Sequence, residues 1–529
     1  MDAAENNTAK VAASASPAAS TKTPGEMVEL TSSPAAWTKY IPGPGPNFRY
    51  EGLSPQASRI GVLVCGCACL MLSGINVALM GSVSSTSSYL KVVNLADGTP
   101  HTTLLVGVIN ALYWVGVIIG ALFIGPFSDI VGRRRAIVCA GIYGIIVIPI
   151  FASLQSFGWA LALRFLNGLA TGSFDSVGLN WAAEAADARM RGWSTGIQLA
   201  CAAFGGSQSF FLVYGIGKAT QSQLVWRFPI AYQCVFVLFV STLVWFLPES
   251  PRWLVRVGLT EEAREVMIAM GADRADADTV ARYADEAVAA ISAALEEEVA
   301  NNASATYVKM FFAKDEYKTV RRTWSALFVQ FATQAMVGVG VVSGYGNQIF
   351  VAGGWSADLA TLLAGIGIVV QALFGLLGAF YADRFGRRCS FIYGSLLGAI
   401  LLALIGMCGH YVATETDPAR VKAYSSAVIA LVFLWSAVFG FTWLWAPFAY
   451  PTEIFPLRCR ARGSSIGICG LALGSFFTNM ISTYLFNGLG YKAMFLFCGL
   501  SFVVTIISFL WLPETAMKTL EEIDHIYEK

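Results

Sequence analysis

Arg164 and Asp175 sit eleven residues apart in a stretch, 157–182, otherwise dominated by apolar and small residues. In a helix, eleven steps of about 100° return to within about 20° of the starting face, so the two share a face about 16 Å apart. A carboxylate inside an apolar helix is suited to carrying a proton, or to holding a cationic or hydroxylated solute. Asp175 is equally readable as a helix-network partner in a wet vestibule. Gln198, Gln208, Tyr345, Asn347, Gln348 and Gln371 lie in comparable stretches, and each suits either a solute hydroxyl or an interhelical hydrogen bond. Trp443 and Trp445 suit stacking on a ring, or packing.

A second set of charges occurs twice, in the same order. Asp-x-x-Gly-Arg-Arg reads Asp129-Gly132-Arg133-Arg134 and again Asp383-Gly386-Arg387-Arg388. A Glu followed seven residues later by Arg reads Glu184/Arg191 and Glu453/Arg460, and Leu-Pro-Glu closes each half at Glu249 and Glu514. The offsets are about half the chain, the mark of a duplicated membrane unit. Within a box, the small Gly lets a helix end approach its neighbour, Asp can cap or pair, and the arginines meet a carboxylate or a helix C-terminus. Such a network can hold one membrane face shut and break on switching; alternatively, the charges only set topology.

Other chemistries find little support. Cys65-Gly-Cys67-Ala-Cys69 has i, i+2, i+4 spacing that points its thiols around a helix, which fits packing better than metal. His101, His410 and His525 fall in loops, at a span end or in the tail, so none is placed for a mid-membrane proton relay. No nucleophile–base constellation or cofactor loop is present, so neither an enzyme nor a cofactor is expected.

The elements that must position these residues are membrane helices. Of 529 residues, 56% are hydrophobic and only 13% charged, which excludes an ordinary soluble domain. Apolar stretches long enough to cross about 30 Å of hydrocarbon occur at 59–81, 103–127, 136–155, 157–182, 193–217 and 226–247, then at 323–352, 356–381, 389–413, 422–450, 462–487 and 492–512. The 51 glycines suggest tilted or broken helices in close contact. The expected architecture is all-α: a tail at 1–55, disordered by composition, a six-helix bundle at 56–250, a helical linker at 251–322, a second bundle at 323–512 and a tail at 513–529. Val280, Tyr283, Ala287, Ile291 and Leu295 recur at helical spacing in the linker. Short basic loops fall on one side, which puts both termini in the cytoplasm. No cleaved signal peptide is expected, and the net charge of +1 points to no nucleic-acid partner.

Taken together, the boxes, Arg164, the Glu184–Gly192 segment, Pro248-Glu249-Ser250-Pro251-Arg252-Trp253, Pro451-Thr-Glu453-Ile-Phe-Pro456 with Arg460-Ala-Arg-Gly463, and Pro513-Glu514-Thr515 resemble the sugar porter family of the major facilitator superfamily. The resemblance runs over roughly residues 55 to 528. It implies a solute site between two lobes near the bilayer midplane, with alternating access. It assigns Gln330 and Gln334 to the family's seventh-span amides, with Thr333 and Val339 replacing a Gln and an Asn. Phe448 stands where the family's tenth-span Trp is expected. Leu471 and Ser475 stand at two eleventh-span Asn positions, with Asn479 one turn on. It also places Asn76, in Gly74-Ile75-Asn76, where proton-coupled members carry Asp and facilitators commonly carry Asn, near the fourth-span Arg164.

The resulting expectation is a monomeric, multi-pass plasma-membrane carrier of a sugar or sugar-related solute, facilitated or proton-coupled. Substrate contacts are expected from Gln330, Gln334, Gln198, Phe448 and Asn479, and coupling or gating from Asn76, Arg164 and Asp175. The thinned amide set keeps open a non-sugar organic solute, because each buried hydrogen bond left unmade costs about 1–3 kcal/mol. A nutrient sensor on a transporter body is less well supported, since only about seventeen residues follow the last span.

Overall fold

The computed structural model describes residues 55–516 apart from 85, 186–190, 221, 272–276, 302–306, 313–317, 344–345, 353 and 456–459, together with 518, 522–523 and 526–527. The tail expected at 1–55 lies almost wholly outside the described residues. The first half contains α1 (Pro55–Val83), α2 (Ser87–Val92), α3 (Pro100–Val131), α4 (Arg133–Ala152), α5 (Phe157–Ala185), α6 (Arg191–Ala219) and α7 (Leu224–Leu243). The connecting block contributes α8 (Pro251–Arg256), α9 (Thr260–Gly271), α10 (Ala277–Asn301) and α11 (Tyr307–Phe312). The second half contains α12 (Thr319–Ala335), α13 (Val339–Val342), α14 (Gly346–Ala352), α15 (Ala357–Phe385), α16 (Arg387–Thr414), α17 (Pro418–Thr442), α18 (Ala446–Ile454), α19 (Arg460–Leu489) and α20 (Lys492–Trp511).

Among the described residues, eleven helical segments are long and apolar enough to cross a membrane. The twelfth expected span is α5, whose 29 residues reach about 43 Å at 1.5 Å per residue. Arg164, Asp175 and Glu184 all lie on it and dilute its apolar character.

The packing repeats with the sequence. In the first half α1 packs on α6, α3 on α5 and α4 on α7; in the second, α12 packs on α19, α15 on α17 and α16 on α20. The halves meet along two seams, α6 against α15 and α3 against α19. Glycine lets backbones touch within the first half: a Cβ on Gly116, Gly120, Gly168 or Gly172 would meet the facing backbone between α3 and α5. These two helices therefore behave as one stiff pair. Phe123, Phe380 and Leu510 are among the most exposed large apolar side chains, as a lipid-facing surface requires.

The halves differ in continuity. The first and fourth spans, α1 and α5, are unbroken, whereas their counterparts are interrupted. The seventh breaks between α12 and α13, where Gly338 adopts φ +100°. The tenth breaks after α17, at Trp443 to Trp445, and restarts with Pro447, whose missing N–H cannot continue the helical ladder. In the connecting block, Val280, Ala284 and Leu295 of α10 are buried, and Leu295 shares an apolar cluster with Val266 and Met270 of α9 and Trp253 and Leu254 of α8. Asp285 and Glu286 face outward, and Asp285 pairs with Arg264 of α9.

Candidate functional site

At one face, each half closes a charge cluster around the first arginine of its box. Gly132 ends α3 and starts α4 with φ +97° and ψ 159°, a region open essentially to glycine. That turn presents two backbone N–H groups to Glu249: Arg133 N donates to Oε1 at 3.1 Å and Arg134 N to Oε2 at 3.2 Å. The Arg133 guanidinium forks onto Glu184 (3.1 and 3.0 Å) and reaches Asp129 Oδ1 at 2.9 Å and the Ser128 carbonyl at 3.1 Å. Asp129 also pairs with Arg256 of α8, and its carbonyl accepts from Trp253 Nε1. Arg134 caps the end of the sixth span by donating to the Val244 and Trp245 carbonyls. Burial pushes the Glu249 carboxyl above the usual glutamate range, against the opposing pull of the Ser250 N–H and of Arg134 and Arg133.

The second half repeats the core of this arrangement. Gly386 turns with φ +82°, Arg387 N and Arg388 N donate to Glu514 at 2.9 and 3.0 Å, and the Arg387 guanidinium holds Glu453 at 2.6 and 3.0 Å. Arg388 donates to the Phe509 carbonyl, and Thr515 Oγ1 donates to Glu453 as Ser250 Oγ does to Glu184. The side chains of Arg191, Asp383 and Arg460 lie outside the described residues. The Arg133–Glu184, Arg133–Asp129 and Arg256–Asp129 pairs lie within the first half and the adjoining α8, and the Arg387–Glu453 pair lies within the second.

The middle of the first half holds a connected polar core. Arg164 donates to the Asn76 main-chain carbonyl at 3.0 Å and lies 4.2 Å over the Tyr113 ring. Asn76 donates to Thr171 Oγ1 at 3.2 Å and accepts from Asn167 Nδ2. Asp175 Oδ2 accepts from Ser73 Oγ at 2.8 Å, while Oδ1 is buried with no hydrogen-bond partner among the described residues. Asn76 and Arg164 are thus brought into one cluster with Asn167 and Thr171, while Asp175 pairs separately with Ser73, one turn from Asn76 on α1. Sequence reasoning missed Asn167, Thr171, Ser73 and Tyr113; the usable signal was that 164, 167 and 171 share a helix face at steps of three and four.

The second half gathers neutral groups at its two breaks. Gln330 Nε2 donates to the Pro447 carbonyl at 2.8 Å, tying the seventh span to the tenth-span break, and its Oε1 is buried without a partner among the described residues. Gln334, one turn on, is half-buried, as is Phe448. Ser343 Oγ donates to Gln371 Oε1 at 2.7 Å, joining the seventh-span segment to α15. Thr333 turns its hydroxyl back to the Val329 carbonyl and Val339 is apolar and buried, so neither replaces a lost amide. Asn479 donates to the Ser475 carbonyl, and its own carbonyl lies against Gly107 at the α3–α19 seam.

Some expected contacts are spent elsewhere. Gln198 is fully buried at the α1–α6 packing, donates to the Ser194 carbonyl and has its Oε1 against Gly66 of α1. Gln208 accepts from Tyr232 at 3.4 Å, an interhelical bond. Trp443 packs on Phe391, with its ring edge against Gly394 of α16, and Trp445 donates to the Phe441 carbonyl. Asn347 is buried, and the side chains of Tyr345 and Gln348 lie outside the described residues.

Comparison with known proteins bears on this arrangement. The profile described as "Sugar (and other) transporter" matches residues 62–527. The chain is 27% identical over 439 residues to the sugar transporter STL1 of Saccharomyces cerevisiae, covering 82% of this chain and 74% of that protein. It is 26% identical over 472 residues to the quinate permease of Neurospora terricola, covering 86% of each. Its fold is similar to the proton:xylose symporter XylE bound to 6-bromo-6-deoxy-D-glucose, with a TM-score of 0.72 at 20% identity, covering 89% of this chain and 99% of that one. An inward-open structure of XylE from E. coli gives 0.70, also at 20% identity, covering 88% and 99%.

Proposed function

The chain belongs to the sugar (and other) transporter family of the major facilitator superfamily, a multi-pass membrane transporter, and on that premise we propose that it carries a neutral, hydroxylated, sugar-like solute together with a proton. One observation carries this reading: the chemistry is divided between the halves. The second half offers neutral hydrogen-bonding groups, Gln330, Gln334 and Ser343 on its broken seventh span and Gln371 on the adjoining α15, while the first half holds the ionisable Arg164 and Asp175. Amides without a countercharge suit hydroxyls better than a charged solute. Broken spans are where transporter backbones and side chains turn toward a solute. Asn76 cannot titrate, so Asp175 takes the proton-carrying role, and Arg164 holds α1 to α5 through the Asn76 carbonyl. Gln330, Gln334, Phe448 and Asn479 form the solute side; Gln198 supports it from within the α1–α6 packing.

The charge clusters brace the Arg-rich face, which we assign to the cytoplasm together with both termini because short basic loops are retained there. The protein acts as a monomer in the plasma membrane, with residues 251–322 as a linker beneath the two bundles. The thinned amide set, with Thr333 and Val339 contributing nothing, favours a second reading as carrier of a non-sugar organic solute. Uptake into proteoliposomes, with and without an inward proton gradient, against sugars, polyols and organic acids separates the two. Accumulation of a hydroxylated neutral solute that D175N abolishes is the expected result. Gradient-driven accumulation persisting in D175N removes Asp175 from coupling, and uptake restricted to organic acids removes the sugar-like solute.

A further inference from the structure

Tyr113 is fully buried on α3, and nothing in the transport reading uses it. Its ring face lies under the Arg164 guanidinium at 4.2 Å. Its hydroxyl lies in the neighbourhood of Ser73, Thr171 and Asp175 and makes no well-formed hydrogen bond among the described residues. The Asp175 Oδ1 atom on the same side is equally buried and unpartnered. One aromatic side chain therefore lies between the fixed cation and the carboxyl of the first half, with a spare donor at its carboxyl end.

The residue next to it faces the other half. Trp114 packs edge-on to Tyr113 at 5.3 Å between centroids and joins Val117 in a cluster with Ala472 and Phe476 of α19. Gly107, two turns earlier on α3, sits on the Asn479 and Met480 carbonyls of that helix. α3 is thus pinned to α5 by four glycine contacts on one side and to the opposite half on the other, so a shift of Tyr113 is felt at the seam.

We propose that Tyr113 is a positioning residue for coupling: its phenol donates to Asp175 Oδ1 when that carboxyl ionises, and the movement of its ring under Arg164 passes the charge state to the α3–α19 seam. The proton released from Asp175 leaves to water on the open face; the phenol keeps its own. The groups facing this centre are Ser73 and Cys69 on α1, Tyr113 on α3, and Arg164 and Thr171 on α5, with Tyr89 beyond Arg164. The inference rests on the proton-coupled reading above.

The test is the pH profile of solute uptake by the full chain in proteoliposomes, for the wild type, Y113F, S73A and D175N. Removing a donor from the charged carboxylate extends proton-driven uptake to higher pH, so Y113F is expected to move the alkaline midpoint up by about one unit, the scale set by loss of one charge-assisted hydrogen bond. S73A moves it in the same direction, and Y113F/S73A moves it further than either. A Y113F midpoint equal to wild type, alongside a D175N variant that has lost gradient-driven accumulation, overturns the role of Tyr113 and leaves the coupling reading standing. A D175N variant that still accumulates solute overturns the coupling reading itself. If Y113F fails to reach the membrane, the S73A midpoint decides: an unchanged value means Asp175 needs no donor from this side, and the proposal falls.

Discussion

Lys218 Nζ lies 2.6 Å from Asp358 Oδ2, and this pair joins α6 of the first half to α15 of the second. It lies at the face opposite the arginine boxes, since α6 begins at that face with Arg191 and ends with Lys218. The Arg133–Glu184 and Arg387–Glu453 pairs each stay within one half, whereas this pair joins the two. Both partners are more than half exposed, so salt screens the pair and it contributes little to folding. Its effect belongs to the balance between open and closed forms of that face. D358K is expected to slow uptake several-fold at low ionic strength, K218D/D358K to restore it, and neither to change the melting temperature; equal rates for wild type and D358K sink the idea.

Gly132 and Gly386 are held by conformation as well as by space. Each sits in backbone territory that costs other residues about 1–3 kcal/mol, and a Cβ there would lie 2.6 Å from Glu249 Oε2 or Glu514 Oε2. G132A and G386A should each lower the melting temperature of the detergent-solubilised protein by several degrees, more than alanine at Gly125, where a Cβ meets nothing within 4 Å. A G125A melt as low as G132A contradicts this account.

Glu249 gives a pH dependence of definite sign. Burial raises its titration above the ordinary value of 4.5, so the folded state holds this proton more tightly than the unfolded chain. Stability from this group is then greatest below the ordinary value and is lost as pH rises through the raised one. The amide introduced by E249Q cannot titrate. The melting-temperature advantage of wild type over E249Q should therefore shrink as pH is raised from about 4.5 toward neutrality, and an advantage that grows over this interval reverses the sign and refutes the assignment.

Much of this organisation is legible in the sequence because the boxes use residue types with few structural alternatives. A glycine followed by two arginines, with a remote Leu-Pro-Glu, is a turn presenting two N–H groups to one carboxylate, and it occurs twice. The polar core of the first half was harder to read. Asn167 and Thr171 are small polar residues in a helix already crowded with Gly and Ala, where packing explains them equally well until Asn76 is seen opposite. Gln198 carries a signal that misleads: an amide in a span reads as solute-facing, yet Gly66 opposite gives it a packed slot. The two breaks were readable only in part, as Gly338 and Pro447 within apolar runs that otherwise look continuous.

Gln330 and Gln334 sit one turn apart but should fail differently. Gln330 holds the tenth-span break through the Pro447 carbonyl, so Q330A leaves that acceptor unpaired at about 1–3 kcal/mol and should lower the maximal rate as well as raise KM. Q334A removes a half-buried amide whose side chain joins no span to another among the described residues, and should mainly raise KM. Concentration dependence of initial uptake decides between these patterns; identical effects of the two variants on rate and KM would falsify the division of roles.

Tyr527 ties the end of the chain to the same moving part. Its hydroxyl lies 3.1 Å from that of Tyr450 on α18, the half-helix after the tenth-span break, and its ring lies 4.5 Å from the Arg322 guanidinium at the start of α12. Arg322 in turn donates to the Ile454 carbonyl at the end of α18. The two broken spans are thus joined twice, by Gln330 near the middle and by the Tyr527–Arg322 pair at the Arg-rich face. Removing the aromatic ring leaves a buried guanidinium without its cover, where such contacts contribute about 2 kcal/mol when desolvated, and frees α18 to swing about Pro447. Y527A should therefore lower thermal stability modestly and change the uptake rate without changing solute preference across the panel. Y527F, which keeps the ring and loses only the contact with Tyr450, should stay close to wild type in rate. A Y527F variant as impaired as Y527A would place the effect in the hydroxyl pair and remove Arg322 from the argument.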